Sequence, residues 1–557
     1  MKTLDTARLD GLVEELRQGE RTWARLSLGD RLDLLAATSA TLQEHAQEWV
    51  EIACGIKGLP TDSPLVGEEW ISGPYAVLSS IGALSETLEA LRAGRSPLDG
   101  FRLSAAPGDR AAVRVLPHGI FDRLLLNGFT AEVWSRPGVS AEHFADAAGL
   151  AQRDPAKTGG VGVVLGAGNI FSIAPLDTLY ELFAGNRVVL LKLNPITDPL
   201  LPVFEKVFAP LIDLGLVRIV TGGADVGAAA VDHPGIGHVH ITGSVKSHDA
   251  IVFGPGEDRR TVRLDKPITS ELGGVSPTIV VPGRWSARDL AYQAEHVVTQ
   301  KLHNNGYNCV ASQVLVLSSC WEQKDAFLAA LRKAYAAARK RTPYYPGSDT
   351  RCEAALAEHP DAERWEDRLL LDVPADGDAA FTEEYFGPVL AVTQLPGDPR
   401  QFLDRAVDFA NEKLAGTLGA NIVLHPRTKR RLGSSFTDAI TRLRYGTIAI
   451  NAWTGVGYLT ARASWGAFPG HPLTDVQSGI GVVHNALLLD HVERTVVHGP
   501  FRPFPRSIAT GQLAISPRPP WFVTNRTARV TGRRLAAFAG RPGWSKLPGI
   551  FASALRG

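Results

Sequence analysis

VGVVLG (161–166), APLDTLYELFAGN (174–186), RVVLLKL (187–193), PLLPVFEKVFAPLIDLG (199–215), VRIVTGG (217–223) and GHVHITGS (237–244) follow one another with only short gaps. The first, third, fifth and sixth are short apolar runs, as strands buried on both faces require. The second reads as a helix stopped at Gly185-Asn186, and the fourth as another helix. Short buried strands alternating with helices predict βαβ units and a parallel sheet covered on both sides. Ligands bind such sheets at the carboxyl ends of the strands, so a nucleotide site is expected there.

A second α/β pattern begins at SPTIVV (276–281) and runs through DLAYQAEHVVTQKL (289–302), SQVLVLSS (312–319) and a helix expected over 322–340. It predicts a separate catalytic domain. Upstream, the first hundred residues read as helices, with Leu32, Leu34, Leu35, Thr38 and Leu42 at helical spacing. VRVLPHGIFDRLLLNGFTAEVW (113–134) has β-rich ends around Asn127-Gly128, which predicts a projecting hairpin or strand pair. The last stretch, 499–557, holds ten Lys and Arg and no Asp or Glu. Its two proline clusters and the apolar Phe501, Phe504, Trp521, Phe522 and Trp544 predict a chain laid over a surface. That surface is expected to be this enzyme's own or a neighbouring subunit's, in preference to a membrane. RRLAAFAG within the arm reads as one short helix.

Bulk properties narrow the classes. The chain has 557 residues, 45% hydrophobic and 21% charged, with 58 basic and 58 acidic side chains. Two or three domains are expected at this length. A zero balance supplies no global attraction to nucleic acid or anionic membrane. The N-terminal MKTLDTARLDG has no apolar signal core, and no run approaches the roughly 18 apolar residues of a membrane helix. A cytoplasmic enzyme is expected. The four cysteines, Cys54, Cys309, Cys320 and Cys352, show no CxxC spacing, and no His, Cys, Asp and Glu set has metal-ligand spacing, so no metal is expected.

Two segments carry reactive groups. In HNNGYNCVASQVLV (303–316) Cys309 follows a Gly-Tyr-Asn turn and precedes an apolar strand, a setting that can hold a thiol rigid yet reachable. In ITSELGGVSP (268–277) Glu271 precedes Gly273-Gly274 and could serve as a general base. Taken singly, Cys309 reads more readily as a structural thiol, and Glu271 equally as a solvated turn acid.

Together and in order, ELGG, the GxxC turn and EEYFGPV (383–389) resemble the aldehyde dehydrogenase superfamily. GAGNIF (166–171), VVLLKLNP (188–195), HITGS (240–244) and SWGAF (464–468) fall in register, and the likeness covers roughly residues 20–490. It implies an α/β fold with a parallel-sheet nucleotide-binding domain (1–112 and 135–267) and a catalytic domain (268–462). Residues 113–134, as a β-hairpin, and 463–490 become oligomerisation and substrate-side segments, and 491–557 the basic C-terminal arm. The resemblance implies Cys309 as nucleophile, Glu271 as the base that activates water and Asn169 as an oxyanion donor. It implies NAD or NADP as cofactor, held by Lys192, Gly243, Ser244, Glu384 and Phe386. Phe171, Trp453, Tyr458 and Trp465 match substrate-side positions, and their aromatic character favours an apolar aldehyde. A homodimer or homotetramer is implied. The Gly273-Gly274 pair is expected to give the glutamate room to swing. Two departures stand out: Tyr307 replaces the usual Gln, and Leu193-Asn194-Pro195 lacks the ribose-binding acid; the GxGxxG fingerprint is absent too, in keeping with the resemblance, since the family binds its nucleotide without it. A CoA-acylating enzyme and a non-catalytic scaffold are the rival readings.

Overall fold

The computed structural model describes residues 6–256, 261–512 and 514–557. The first five residues, part of the stretch read for a targeting signal, lie outside the described residues. Two sheets organise the chain. The smaller has six strands in the order Gly479–Ile480, Ile268–Leu272, His238–Gly243, Val161–Leu165, Val188–Lys192 and Val217–Val220. All but the first are mutually parallel. Their apolar residues form one core with helices Thr6–Trp23, Leu28–Ile56, Ala76–Arg92 and Ile173–Gly185. The last of these ends as its sequence suggests, with Asn186 as a left-handed cap at φ 50°. Its side chain accepts from Trp23 at 3.2 Å and from Arg31 at 2.8 Å, tying the N-terminal helices to the sheet.

The larger sheet has eleven strands. Seven parallel strands, from Val492–His498 through Thr447–Ile450, Gly419–Val423, Ser276–Val280, Ser312–Ser318 and Val389–Leu395 to Arg368–Asp372, form its middle. Arg102–Ala106, Arg110–Leu116 and Thr130–Ser135 add antiparallel strands at one end, and Glu363–Trp365 at the other. Separate apolar clusters cover its faces.

This arrangement corrects several sequence boundaries. Strand Ile268–Leu272, assigned to the catalytic domain, pairs in register with His238–Gly243 and completes the first sheet. Strand Val492–His498, assigned to the arm, lies inside the larger sheet. Strand pairing is a long-range property, so the composition around residues 268 and 491 does not mark it. The strands of 113–134 do pair, but helix Ile120–Leu125 stands between them instead of a tight Asn127-Gly128 turn.

The arm packs on its own chain. Arg502 makes two hydrogen bonds to Asp289, at 2.8 and 2.9 Å, and Arg506 a third at 2.7 Å. Asp289 also caps helix Ala287–Leu302 with Ser286. Burial works against its charge, yet the Arg502 and Ser286 bonds hold its carboxyl well below the usual range. Arg518 meets Glu295 at 2.7 Å. Further on, helix Ala528–Gly540 passes so close to Val66–Trp70 that a Cβ on Gly67 would lie 2.3 Å from the Ala528 carbonyl carbon. Among the described residues no helix is long and apolar enough to cross a membrane.

Candidate active site

The carboxyl ends of the smaller sheet face the amino ends of the larger one. Val161–Leu165 delivers Ala167, Gly168 and Asn169, and His238–Gly243 delivers Thr242, Gly243 and Ser244. Glu271 sits opposite Thr242 in the strand register. From the other side come Gly273 and Gly274 just before Ser276–Val280, Cys309 just before Ser312–Ser318, and Glu384 to Phe386 just before Val389–Leu395.

Two cavities meet here. One is a polar cleft of about 730 Å³ lined by Asn194, Gly243, Ser244, Gly273, Glu384 and Phe386, among others. The other is a narrow apolar pocket lined by Ile170, Ile173, Trp453, Tyr458, Trp465 and Val483, among others. Asn169, Thr242, Glu271 and Cys309 line both. The structure thus brings together Cys309, Glu271, Asn169, Gly243, Ser244, Glu384, Phe386, Trp453 and Trp465.

The Cys309 thiol hydrogen-bonds to the Glu271 carboxylate, which also accepts from Trp465 Nε1 at 3.1 Å. Burial pushes Glu271 up to about 7, against the lowering effect of these two bonds. Burial and the adjacent Glu271 charge hold the thiol well above its usual range. A carboxyl near 7 is poised to exchange a proton near neutrality, which an ordinary glutamate is not.

The loop before the thiol is backbone-strained and heavily tied. Asn304, Asn305 and Gly306 are consecutive left-handed residues with φ 52°, 55° and 79°. Asparagine tolerates this region better than most residues. A Cβ on Gly306 would stand 2.4 Å from the Gly387 oxygen, so only glycine fits. The Tyr307 carbonyl accepts from Asn169 Nδ2 at 2.9 Å and from Asn304 Nδ2 at 3.0 Å. Asn169 therefore spends one N–H on the Cys309 loop and has a second to offer. The Asn304 N–H donates to Glu68 at 3.0 Å, and Glu68 is paired with Arg341. Both side chains are buried. Tyr307, where glutamine was expected, is fully buried and donates to Ser348 at 2.8 Å.

Two glycines have a different purpose from the one expected. Gly273 makes room for Glu384: a Cβ there would lie 2.1 Å from its carboxylate. Gly274 packs against Gly416 and Ala415, with 3.0 Å from its notional Cβ to each, and its N–H donates to Glu384. Close approach to Glu384 and Gly416 is what the pair provides in this structure. Burial raises the enclosed Glu384 carboxyl to about 8. Buried Lys301, lowered to about 7 by burial and partly restored by Glu384, lies within its electrostatic reach.

Phe171 is a correction. Its ring lies in the core under the Lys57 ammonium, 4.5 Å away, and not in the apolar pocket. The turn into Ser172 presents Ile170 and Ile173 there in its place. Lys192 also differs from expectation: it is mostly buried at the end of its strand, outside the lining of the polar cleft. Burial lowers its pKa while Asp198 and Asp225 oppose the shift. Asn194 reaches the cleft instead, its carboxamide 2.7 Å from where a Gly168 Cβ would be.

Sequence reasoning missed a buried polar group beside Glu271. Asp177 accepts from Thr242 at 3.0 Å, and His484 and His240 approach it at 3.0 and 3.4 Å. Despite burial, these histidines hold Asp177 down at about 2. His484 and Thr242 line the apolar pocket. Asp177 lies on helix Ile173–Gly185 and His484 three hundred residues away, so no local signal joins them.

Comparison with known proteins agrees with this architecture. Residues 148–367 match the aldehyde dehydrogenase family model. A 3,6-anhydro-alpha-L-galactose dehydrogenase of Streptomyces coelicolor is 25% identical over 346 residues, 61% of this chain and 56% of that protein. A geranial dehydrogenase of Castellaniella defragrans is 26% identical, covering 55% and 63%. An acetaldehyde dehydrogenase 2 of Cupriavidus necator is 27% identical, covering 56% and 62%. The chain thus spans less than two thirds of the length of these curated relatives. Among solved structures, a gamma-glutamyl-gamma-aminobutyraldehyde dehydrogenase from Burkholderia cenocepacia superposes with TM-score 0.60 at 19% identity, over 88% of each chain. An NADP-dependent glyceraldehyde-3-phosphate dehydrogenase from Bacillus halodurans, complexed with NADP, gives 0.60 at 19%, over 89% and 92%. An indole-3-acetaldehyde dehydrogenase complexed with NAD+ gives 0.59 at 18%, over 89% of each. Residues 148–367 thus match the aldehyde dehydrogenase family model, and the chain as a whole shares the fold of these solved aldehyde dehydrogenases.

Proposed function

We propose that this protein oxidises an apolar aldehyde to a carboxylic acid with NAD or NADP, through a thioester on Cys309. The observation that carries the reading is the hydrogen-bonded Cys309–Glu271 pair at the junction of a polar cleft and an apolar pocket, with Asn169 beside it.

The cleft suits a dinucleotide. Its volume of about 730 Å³ is within the usual small-molecule range of roughly 300–1,000 Å³. Ser244 caps helix Val245–Val252, whose amino end suits a phosphate. Glu384, steadied by the Gly274 N–H, would take ribose hydroxyls, and Phe386 would pack beside the nicotinamide. Lys192 is the expected second ribose ligand and would have to extend from its buried position. When bound, the nicotinamide supplies the hydride acceptor.

The chain's own groups do the remainder. Glu271 takes the thiol proton across their hydrogen bond, and the Cys309 sulfur adds to the aldehyde carbon. Asn169 Nδ2 and the Cys309 N–H hold the resulting oxyanion, each worth about 3 kcal/mol in such sites. After hydride loss leaves a thioester, Glu271, having returned its proton to solvent, deprotonates a water. The hydroxide adds to the thioester carbon, the thiolate leaves, and the acid departs. Trp453, Tyr458 and Trp465 shield the apolar side and exclude bulk water.

The test is a spectrophotometric assay of reduced nicotinamide with a panel of aldehydes and either nucleotide, with and without CoA. Turnover without CoA, lost in Cys309→Ala with nucleotide binding intact, is the expected result. Turnover only with CoA would make the enzyme CoA-acylating. Activity of Cys309→Ala within tenfold of wild type would refute the nucleophile.

A further inference from the structure

The helix that begins at Val66 loses regular pitch at Ile71–Tyr75, a π-helical turn holding Pro74 and Gly73 at φ −109° and ψ −108°. Such turns redirect side chains and recur where function requires it. This one stands between two spaces. On its inner side Ile71 and Ser72 join Cys309, Trp453 and Leu459 around the apolar pocket. On its outer side Ile71, Tyr75 and Leu459 line a chamber of about 340 Å³. Ile71 and Leu459 thus belong to both walls.

The far wall of this chamber is the C-terminal arm. Trp521, Leu535, Phe538, Ala539 and Ile550 close it, facing Phe121 and Leu125 from the segment between two strands. Phe121 stacks edge-on against Phe538 at 5.1 Å, fastening the arm. The charged groups of the lining are matched with one another: Arg462 bonds Glu86 at 2.6 to 3.0 Å and lies 3.9 Å from Asp122. Beside those pairs and a few hydroxyl and amide groups, the interior is mainly apolar. Its volume falls within the range of small-molecule sites, roughly 300–1,000 Å³.

The geometry points to this chamber as the seat of the substrate's hydrocarbon tail, so that the aldehyde oxidised at Cys309 is a long-chain aliphatic one. This rests on the reading of Cys309 given above. The carbonyl end lies at Cys309, the chain runs past Ile71 and Leu459, and the tail lies against the arm. Leu535, Phe538 and Ala539 then determine specificity, and the basic arm is a substrate wall whose arginines anchor it at Asp289 and Glu295.

The experiment compares kcat/KM for propanal, hexanal and dodecanal in the full-length wild type and in Ala539→Trp, which fills the chamber from the arm. In wild type, kcat/KM should rise at least about tenfold from propanal to dodecanal, since each buried methylene adds discrimination. In Ala539→Trp the dodecanal-to-propanal ratio should fall about tenfold or more. Binding of 1-dodecanol by calorimetry, which needs no turnover, should weaken in the same variant. If no aldehyde is oxidised but 1-dodecanol binds wild type and not the variant, the Cys309 reading fails and the chamber stands. A flat chain-length profile in wild type overturns the proposal even if the variant does not fold. So does a variant that leaves the ratio and 1-dodecanol binding intact while changing only the oligomeric mass, which would make the face an interface between copies.

Discussion

Trp465→Phe isolates one contribution to the chemistry of Glu271. The indole N–H donates to the carboxylate at 3.1 Å in a buried site, and the ring packs edge-on over Tyr458 at 5.4 Å. Phenylalanine keeps an aromatic ring but removes the donor. A hydrogen bond to a buried charged group contributes about 1.5–3 kcal/mol. At about 1.4 kcal/mol per pKa unit, its loss should raise the Glu271 pKa by about one to two units. From about 7 that places it near 8 to 9. Because water activation requires the ionised carboxylate, kcat rises with pH through this pKa. At pH 7 the ionised fraction would drop from about a half to between a tenth and a hundredth. The assay is kcat at saturating aldehyde from pH 6 to 10, with burst measurements to confirm that deacylation limits turnover. The acid limb should move up by one to two units while the alkaline plateau recovers wild-type rate. An unmoved limb with full activity at pH 7 would refute the claim that Glu271, held by Trp465, is the base.

Other expectations follow from single contacts. Gly306→Ala combines a left-handed backbone with a clash on the Gly387 carbonyl, and should cost about 2–4 kcal/mol in chemical denaturation as well as activity. Arg341→Met should cost about 3–5 kcal/mol by leaving Glu68 buried without its cation, read as a lower melting temperature. Asp177, held at about 2 against an unfolded value near 3.9, stabilises the fold above pH 4, and this contribution of roughly 2–3 kcal/mol is lost as pH falls through 2. The melting-temperature gap between wild type and Asp177→Asn should therefore be full at pH 7 and shrink in acid. Since the cleft residue after Lys192-Leu193 is Asn194 and not an acid, kcat/KM for NAD and NADP should differ by less than about a hundredfold. A thousandfold preference would mean that another group discriminates.

The parallel sheet was legible from 161–244 because buried strands are continuous apolar runs, and Asn186 could be read as a helix stop from its own chemistry. Cys309, Glu271, Asn169 and Glu384 were legible only as an ordered set resembling a family, since each alone has an ordinary structural use. What depends on close approach escaped the sequence. Gly273 and Gly274 look like a flexible pair, but their role is decided by Glu384 and Gly416 arriving from over a hundred residues away. Phe171 looks like a substrate contact, but which way its ring turns is settled by Lys57 and the core behind it. The Asp177–His484–His240 group and the Glu68–Arg341 pair join distant segments that have no local signature. The sequence by itself determined the alternation of strands and helices and the reactive residue types, because these are written in local periodicity and side-chain chemistry. Only the tertiary structure decided the strand order, the pKa of Glu271 and the arm's place against an apolar chamber, because each is set by burial among residues far apart in the chain.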